Sequence, residues 1–256
     1  MRAHVGEIAA LAGREASLIE FGSGSSVKTR ILLEHLEALA AYVPVDISAE
    51  HLFESAARIR REFPHIEVLP VVADFTQPFA LPSPRIAPRR NIVYFPGSTI
   101  GNLEHADALD LLAVMHLEAG ADGALLIGVD LQKDPAVIEA AYNDAAGVTA
   151  RFNLNMLRRL NREFGADFDL DGFRHEAKYD RDAGRVVIRL VSRRDQVAHI
   201  GGRTLAFAAG DGILTEYSHK YTLDGFAAMA HTAGFEVAKV WTDEQQLFSV
   251  QYLIRM

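Results

Sequence analysis

The chain has 256 residues, contains no cysteine and carries a formal net charge of −8 at pH 7. Disulfides, thiolate metal sites and cysteine nucleophiles are therefore excluded, and we expect a cytoplasmic protein. An acidic chain without a clustered basic face is a poor partner for a nucleic-acid backbone. The sequence also has no apolar run near the ~20 residues that span a bilayer, so we expect neither a nucleic-acid nor a membrane partner.

The first half of the chain alternates between helix and strand patterns. A helix near the N-terminus is predicted to turn Val5, Ile8, Ala9 and Ala12 inward. Helices are also predicted at 25–40, 49–62 and 104–117. The strands predicted between them are near-continuous apolar runs at Ser17–Phe21, Ala41–Val45, Glu67–Ala73, Asn91–Phe95 and Ala124–Val129. This order predicts an α/β fold with a doubly wound, Rossmann-like sheet that binds its ligand at the carboxyl ends of the strands.

The pattern changes after Asp130. Residues 134–163 are predicted to form one continuous helix. Alternating polar and apolar residues then predict antiparallel strands at Arg185–Val191, Val197–Ile200 and Thr204–Ala208. The end of the chain returns to the first pattern, with a helix at Thr222–Ala233 and strands at Phe235–Thr242 and Leu247–Arg255. We therefore predict a sheet domain over 1–131 and 221–256, with an inserted α+β lobe over 132–220.

A glycine turn and two acidic strand ends predict a cofactor site. Gly22 and Gly24 follow the first strand, where glycine lets the backbone approach a ligand closely. A dinucleotide site would have a third glycine where Val27 stands, which disfavours NAD. Asp46 ends the second strand and can accept hydrogen bonds from ribose hydroxyls, or it can cap the next helix. Asp74 ends the third strand and can accept from an adenine amine, or it can simply begin a loop.

These features on three successive strands are together typical of a class I methyltransferase that uses S-adenosyl-L-methionine (SAM). Lys28, one turn into the following helix, is a candidate partner for the carboxylate of this cofactor, or an exposed helix lysine. No metal site is predicted, because the ten histidines are scattered along the chain.

Five segments closely resemble the L-histidine Nα-methyltransferases of ergothioneine biosynthesis, and the resemblance covers essentially the whole chain. They are Glu20–Arg30, Phe95–Asn102, Ala141–Ala150, Ala166–Asp171 and Thr215–Tyr221. The resemblance implies an enzyme that converts L-histidine to its trimethylated betaine, hercynine, with three molecules of SAM. It assigns SAM binding to Gly22, Lys28, Asp46 and Asp74.

The resemblance also implies the residues that bind histidine. Asn102 and Tyr142 match the positions that hold the substrate carboxylate, and Glu216 and Ser218 match the pair that binds the imidazole. Gly97 matches a position against the transferred methyl group, which makes Gly97 and Tyr142 the candidate catalytic residues. From the residues alone, Tyr142 can equally be a core residue and Asn102 a cap for the helix near 104. The two residues of the imidazole pair can likewise be an exposed strand face.

The sequence departs from the family at its start. Members carry a further N-terminal segment with a motif of the Tyr-Tyr-Pro-Thr-Arg type, and Met1–His4 aligns with the helix that follows it. Either the start codon is assigned too late, or the protein is truncated and has an open substrate site. A truncated protein is expected to bind SAM but to methylate histidine poorly.

Two other functions remain open from the sequence. One is methylation of another small amine or of a protein side chain. The other is a SAM-binding protein with little activity. With the histidine function we expect a monomer that acts on a small molecule.

Overall fold

The structure is a computed structural model that describes residues 1–24 and 27–256 of the chain. Its helices within these residues are α1 (Val5–Ala12), α2 (Val27–Leu33), α3 (Ala49–Glu62), α4 (His105–Ala119), α5 (Pro135–Tyr142), α6 (Val148–Phe164) and α7 (Leu223–Thr232). Its strands are β1 (Ala16–Phe21), β2 (Ala41–Asp46), β3 (Val71–Val72), β4 (Arg90–Phe95), β5 (Ala124–Asp130), β6 (Phe173–Asp180), β7 (Arg185–Ser192), β8 (Gln196–Ile200), β9 (Arg203–Phe207), β10 (Gly212–His219), β11 (Phe235–Thr242) and β12 (Phe248–Arg255). Over the described ranges, no helix is both long and apolar enough to cross a membrane.

The chain divides into two compact units, which we describe separately. Unit 1 comprises Met1–Leu131 and Tyr221–Met256, and unit 2 comprises Gln132–Lys220. Unit 1 contains a seven-stranded sheet, whereas unit 2 contains a three-stranded sheet and a two-stranded hairpin.

The sheet of unit 1 has the strand order β11-β12-β5-β4-β1-β2-β3. The strands from β5 to β3 in this order run parallel, and β12 is antiparallel to both β5 and β11. The strand order reverses between β1 and β4, because the chain first moves from β1 to β2 and β3 and then returns to the other side of β1. Ligands of open α/β sheets bind at the carboxyl ends of the strands beside such a reversal. The predicted doubly wound α/β class is confirmed.

Two apolar clusters cover the opposite faces of this sheet. Leu18 and Tyr42 belong to one cluster, together with residues of α1 and α3. Ile19 and Val43 belong to the other, together with residues of α4 and α7. Because neighbouring residues of a strand point to opposite faces, both faces of β1 and β2 are buried. Apolar residues therefore follow one another in these strands, and Glu20 is an exception in the middle of β1.

Two elements of unit 1 are shorter than predicted. The predicted helix at 25–40 ends at Leu33, and its first two residues lie outside the described residues. The ring nitrogen Nδ1 of His35 lies 2.9 Å from the carbonyl oxygen of Ile31, so a side chain takes the place of the next helical N–H group. The predicted strand at Glu67–Ala73 is reduced to β3. The N–H groups of Leu69 and Ala73 still donate to the carbonyl oxygens of Tyr42 and Asp46, at 2.9 and 3.2 Å, so the segment follows β2 on both sides of β3.

The predicted helix at 134–163 is instead two helices, α5 and α6. Gly147 has a φ of +66°, a conformation that breaks a right-handed helix. The carboxylate of Asp144 then accepts hydrogen bonds from the backbone N–H groups of Val148 and Thr149, each at 2.8 Å. These bonds lower the pKa of Asp144 to about 2 and begin α6 as a separate helix.

The three-stranded sheet of unit 2 has the order β10-β7-β6, with antiparallel neighbours. Of these strands, neither β6 nor β10 was given a predicted range. Only Phe173 and Ala177 of the eight residues in β6 are buried, and only Ser218 of the eight in β10, so no apolar alternation is visible. The strands β7, β8 and β9 lie at the predicted positions within one or two residues. Leu157, Phe173 and Leu190 form the centre of an apolar cluster that joins α6 to this sheet.

Candidate functional site

The chain makes a sharp glycine turn directly after β1. Gly22 and Gly24 have φ values of +71° and +40°, which residues with a Cβ atom adopt at a cost. The N–H groups of Gly22 and Ser23 both donate to the carbonyl oxygen of Val45, at 2.9 and 3.3 Å, and tie the turn to β2. A Cβ atom on Gly22 would lie 3.5 Å from the ring of Phe75. The turn is therefore closely backed on one side and exposes its backbone on the other.

A cavity of about 290 Å³ opens beside this turn, at the carboxyl ends of β1 and β4. Gly22, Gly24, Lys28 and Gly97, which were predicted from the sequence, all line it. The remaining lining residues are Glu20, Phe21, Ser23, Phe95, Pro96 and Thr99. The cavity suits the methionine part of SAM, because its wall is small residues and exposed backbone and Lys28 provides an exposed cation for a carboxylate. The structure thus brings four of the predicted residues together.

Asp46 and Asp74 are not among the described residues that line this cavity. In each of them, the atom Oδ1 accepts hydrogen bonds within a local turn. Asp46 accepts from the N–H of Ser48 at 2.9 Å. Asp74 accepts from the N–H and from the hydroxyl of Thr76, at 3.0 and 2.7 Å. The bonds from Thr76 lower the pKa of Asp74, so its carboxyl is ionised at neutral pH. The alternative interpretation of Asp74 as the start of a loop agrees with these bonds, whereas Asp46 is not the cap of α3, because Ser48 occupies that position. The ribose and adenine roles remain predictions.

An aromatic cluster nevertheless joins the Asp74 loop to the glycine turn. The ring of Phe75 lies 5.5 Å from that of Phe21 in β1 and 5.9 Å from that of Phe95 in β4, between centroids. Rings at these distances attract one another and bury a large apolar area. The residue after Asp74 is therefore packed at the carboxyl ends of the two central strands.

Glu20 is a buried acid that lines the cavity beside the glycine turn, and no role was predicted for it from the sequence. Its carboxylate accepts a 2.6 Å hydrogen bond from the hydroxyl of Thr29 in α2 and a short one from the hydroxyl of Tyr42 in β2. The side chain is only 3% exposed. Burial raises the pKa of Glu20 to about 7, although both hydroxyl groups and the charge of Lys28 act in the opposite direction.

Asn102 is the last residue of a short 3-10 turn, Thr99–Asn102, which follows β4 in unit 1. Its side chain is exposed. The N-cap position of α4 is occupied by Glu104 without a side-chain cap bond, so Asn102 is not the cap of this helix. The turn itself is held by Ser98, whose Oγ accepts from the N–H of Asp130 at 2.9 Å. The carboxylate-binding role of Asn102 remains a prediction.

In unit 2, the hydroxyl groups of Tyr142 and Ser218 lie 2.7 Å apart. The ammonium group of Lys220 lies 2.7 Å from each of these oxygens and donates to both. Ser218 and Lys220 are 5% and 4% exposed, respectively. The structure thus brings together two predicted substrate-binding residues that are 76 positions apart, and adds a cation to them.

Glu216 lies on β10, two residues before Ser218. The pairing of β10 with β7 shifts between Leu214 and Glu216, so a bulge precedes this segment. The Glu216 side chain is half-buried and lines a largely apolar cavity of about 410 Å³. Phe152, Met156 and Ile188 line the same cavity. Burial raises the pKa of Glu216, and the charge of Lys220 opposes that effect.

Hydrogen bonds to β6 fix Tyr142 at the end of α5. The ring of His175 places Nε2 at 2.9 Å from the carbonyl oxygen of Tyr142 and Nδ1 at 3.0 Å from the side-chain amide of Asn153. Asn143 exchanges two hydrogen bonds with the backbone of Ala177, at 2.9 and 3.2 Å. The alternative interpretation of Tyr142 as a core residue is partly right, since its ring packs against the apolar cluster around Ile138.

Two charged residues in these clusters, Glu20 and Lys220, were not predicted from the sequence. Both stood inside the segments used for the family resemblance, but neither was assigned a role. For Lys220 a signal was present, because 216, 218 and 220 alternate along a strand and share a face. For Glu20 the signal was an acid within an otherwise apolar strand.

The sheet order and the glycine-lined cavity define this protein as a class I SAM-dependent methyltransferase. A structure from Clostridium acetobutylicum described as a SAM-dependent methyltransferase is similar in fold, with a TM-score of 0.57 at 9% identity, covering 99% of this chain and 90% of that one. Residues 1–255 match the family described as histidine-specific, SAM-dependent methyltransferases. The chain belongs to this family, which confirms the resemblance, the enzyme class and the cofactor predicted from the sequence.

Two relatives with curated names are similar over almost the whole chain. The histidine N-alpha-methyltransferase of Mycolicibacterium smegmatis is 39% identical over 260 residues, which cover 100% of this chain and 80% of the relative. The ergothioneine biosynthesis protein 1 of Neurospora crassa is 30% identical over 246 residues, which cover 93% of this chain but 28% of that longer protein.

Proposed function

We propose that the protein transfers methyl groups from SAM to the α-amino nitrogen of L-histidine and forms Nα,Nα,Nα-trimethylhistidine, hercynine, in ergothioneine biosynthesis. The family and the names of the two relatives support this substrate. The single observation in the structure that supports it most is the group formed by Tyr142, Ser218 and Glu216 in unit 2. It offers hydroxyl donors and a carboxylate acceptor within one small region.

These residue types suit a neutral imidazole ring. One ring nitrogen carries a hydrogen and the other a lone pair, so the ring needs one acceptor and one donor. We propose that the carboxylate of Glu216 accepts from the ring N–H and that the hydroxyl of Ser218 donates to the other nitrogen. A site built in this way rejects side chains without ring nitrogens, because its own buried polar groups would be left unpaired.

The α-carboxylate of the substrate needs donors, and we assign it to the amide of Asn102 and the hydroxyl of Tyr142. Both groups are uncharged hydrogen-bond donors, and a hydrogen bond from a neutral donor to a carboxylate is strengthened by the negative charge of the acceptor. Unit 2 would then be the substrate-binding lobe, and unit 1 the SAM-binding domain.

SAM supplies a methyl group on a positively charged sulfur, which is reactive without a metal or an acid. At each transfer the amine lone pair would take the methyl group, and S-adenosylhomocysteine would leave with the electron pair of the C–S bond. The first two methylated amines would each lose one proton, whereas the third transfer would give a quaternary nitrogen that has none to lose. The chain therefore has to hold the amine in line, and positioning provides most of the rate. Gly97, at the cavity wall, leaves room for the reacting groups because it has no side chain.

In unit 1, we propose that the glycine turn and Lys28 bind the methionine part of SAM. Asp46 and Asp74 would bind its ribose and adenine. In both residues Oδ1 already accepts a hydrogen bond within a turn. A carboxylate has further acceptor sites, so each can also bind a hydroxyl or amine of SAM.

The experiment that tests this function is methyl transfer followed by mass spectrometry. The protein is incubated with SAM and a panel of amino acids and small amines, and mono-, di- and trimethylated products are measured. We expect histidine to give the highest kcat/KM and trimethylhistidine to accumulate. A higher kcat/KM for another amine would favour the alternative small-amine function. Calorimetric SAM binding without turnover of any amine would favour a binding protein.

We also propose that the protein is a cytoplasmic monomer. The absence of cysteine among its 256 residues supports the reducing compartment. Light scattering coupled to gel filtration measures the mass in solution, and a value near twice the 28.1 kDa of one chain would contradict the monomer.

A further inference from the structure

The ammonium group of Lys220 is the centre of the cluster in unit 2. Its Nζ atom, the hydroxyl oxygen of Tyr142 and the hydroxyl oxygen of Ser218 form a triangle in which all three edges are 2.7 Å. The same ammonium lies 4.8 Å from the centre of the Tyr142 ring, where a cation is attracted to the aromatic face. All of these atoms belong to unit 2.

The position of Lys220 is fixed by its own backbone. Its N–H group donates to the carbonyl oxygen of Gly184 at 2.8 Å. Its carbonyl oxygen accepts from the side-chain amide of Gln132 at 3.2 Å. With both backbone groups held and the side chain 4% exposed, the ammonium has little freedom to leave the triangle.

The hydrogen atoms of the triangle can be counted. An ammonium group only donates, so both hydroxyl oxygens accept from Lys220 and neither can direct its own hydrogen towards it. One hydroxyl hydrogen lies between Tyr142 and Ser218, since these oxygens are also within hydrogen-bond distance. The second hydroxyl hydrogen must therefore point away from the cluster. The triangle presents one O–H donor of fixed direction, which the adjacent positive charge makes stronger.

The charge of Lys220 also reaches the third predicted residue of this region. It lowers the pKa of Glu216 against the effect of burial, and so favours the ionised carboxylate that accepts a hydrogen bond. Lys220 thus affects both the hydroxyl donor of the triangle and the Glu216 carboxylate, which is the acceptor next to it.

We propose that Lys220 is a positioning residue for substrate selection, which holds the Tyr142 and Ser218 hydroxyls so that one O–H donor faces an acceptor atom of the substrate. This inference rests on the proposed function, in which those two residues contact histidine. The proposed function gives each of the two hydroxyls a donor role, and the triangle supports only one of these roles at a time. The acceptor is a carboxylate oxygen if Tyr142 carries the outward hydrogen, and a ring nitrogen if Ser218 carries it. The shared requirement is a hydrogen-bond acceptor, and two substrate analogues distinguish its source.

The test compares Lys220→Met, which keeps the apolar stem and removes the donors, with Lys220→Arg, which keeps the charge. The matched control is Lys178→Met, because the Lys178 side chain is 72% exposed on β6 of the same unit. For each protein, kcat and KM are measured with histidine, with 3-(2-thienyl)alanine, which lacks the ring nitrogens, and with histamine, which lacks the carboxylate and has no other oxygen in its place. Binding of S-adenosylhomocysteine is measured by calorimetry.

We expect Lys220→Met to lower kcat/KM for histidine by about tenfold or more, mainly through KM, because a buried donor has lost its orientation. The kcat/KM for one of the analogues should fall much less, so that the preference for histidine over it shrinks. A reduced preference over thienylalanine identifies the ring nitrogen as the acceptor, and a reduced preference over histamine identifies the carboxylate. Lys220→Arg should retain more of the preference than Lys220→Met, whereas Lys178→Met and the binding of S-adenosylhomocysteine should not change.

An equal loss of kcat/KM for all three substrates would overturn the proposal, since that is the result of a merely structural lysine. An unchanged preference would overturn it as well. Should Lys220→Met not fold, Lys220→Gln removes the charge with a smaller change in shape, and the same two preferences are scored.

A double-mutant cycle provides a second readout. In a Tyr142→Phe, Ser218→Ala background the hydroxyls are gone, and Lys220→Met is expected to cause less than about twofold further loss of preference. A further loss of tenfold in that background would show that Lys220 does not act through them. The wild-type assay separates this proposal from the proposed function: if another amine is the preferred substrate, the same variants are scored on that amine and its analogues.

Discussion

Glu20→Gln tests whether the burial of this acid beside the glycine turn lowers the stability of the protein at neutral pH. In the folded protein burial raises the pKa of Glu20 to about 7, whereas in the unfolded chain the ordinary value of 4.5 applies. Between pH 4.5 and 7 the folded state therefore binds more protons than the unfolded state. The free energy of unfolding should decrease as the pH rises through this interval, and the whole loss should be present above about pH 7.

The magnitude follows from the two pKa values. The difference between a pKa of about 7 and one of 4.5 corresponds to roughly 3 kcal/mol, to be taken as an order of magnitude. Glutamine has nearly the same shape and can still accept from Thr29, but it does not ionise. The wild-type protein should thus become less stable relative to the Glu20→Gln variant by roughly 3 kcal/mol between about pH 5 and about pH 8.

The assay uses Trp241, the single tryptophan of the chain. It is 5% exposed and belongs to the same apolar cluster as Tyr42, which donates to Glu20. Its fluorescence therefore reports the unfolding of unit 1 by urea, measured without cofactor at about pH 5, 6, 7 and 8. Glu54→Gln, at an exposed position of α3, controls for the loss of one negative charge. A wild-type-to-variant difference that stays constant within about 0.5 kcal/mol across this range would refute the reasoning.

Three further variants probe the site and the sheet beneath it. Asp46→Asn keeps the turn bond to Ser48 and removes the charge, so the Kd for SAM in calorimetry should rise about tenfold; an unchanged Kd would remove Asp46 from the cofactor site. Glu216→Ala should raise the KM for histidine about tenfold or more with SAM affinity unchanged, because the ring N–H loses its acceptor, and an equal loss of both would make Glu216 structural. In Gly128→Ala the new Cβ would lie 2.2 Å from the carbonyl oxygen of Pro96, so thermal unfolding should show a loss of about 1–3 kcal/mol. Gly6→Ala, with no atom within 4 Å, is its control, and equal melting temperatures would contradict the predicted clash.

The parallel sheet could be predicted from the sequence because its strands are buried on both faces. Continuous apolar runs such as Ser17–Phe21 and Ala124–Val129 have no other simple explanation. The strand β6 could not be predicted in the same way, since a half-exposed strand with Phe173 and Ala177 as its buried residues lacks that pattern. The division of the predicted helix at 134–163 depended on the conformation of Gly147, and a single glycine within a helical pattern does not reveal its φ.

The arrangement of the candidate site could likewise be predicted only in part from the sequence. Gly22, Lys28 and Gly97 lie near one another because parallel strands end at one edge, a relation that follows from the predicted topology. The contact of Lys220 with Tyr142 joins residues 78 positions apart, and no local spacing encodes it. For Glu20, the sequence reveals an acid in a strand, but the raised pKa depends on the burial that the folded sheet imposes.

The chain leaves and re-enters unit 1 at neighbouring points. Leu131 and Tyr221 form a parallel bridge, and the N–H of Tyr221 donates to the carbonyl oxygen of Asp130 at 3.0 Å. Because the two ends of the insertion are already held together by the sheet domain, the loop-closure entropy changes little when the inserted length changes. Everything between these two residues can therefore be exchanged or remodelled while unit 1 keeps its fold. A protein engineer could use the same junction to graft a lobe with a different amine specificity.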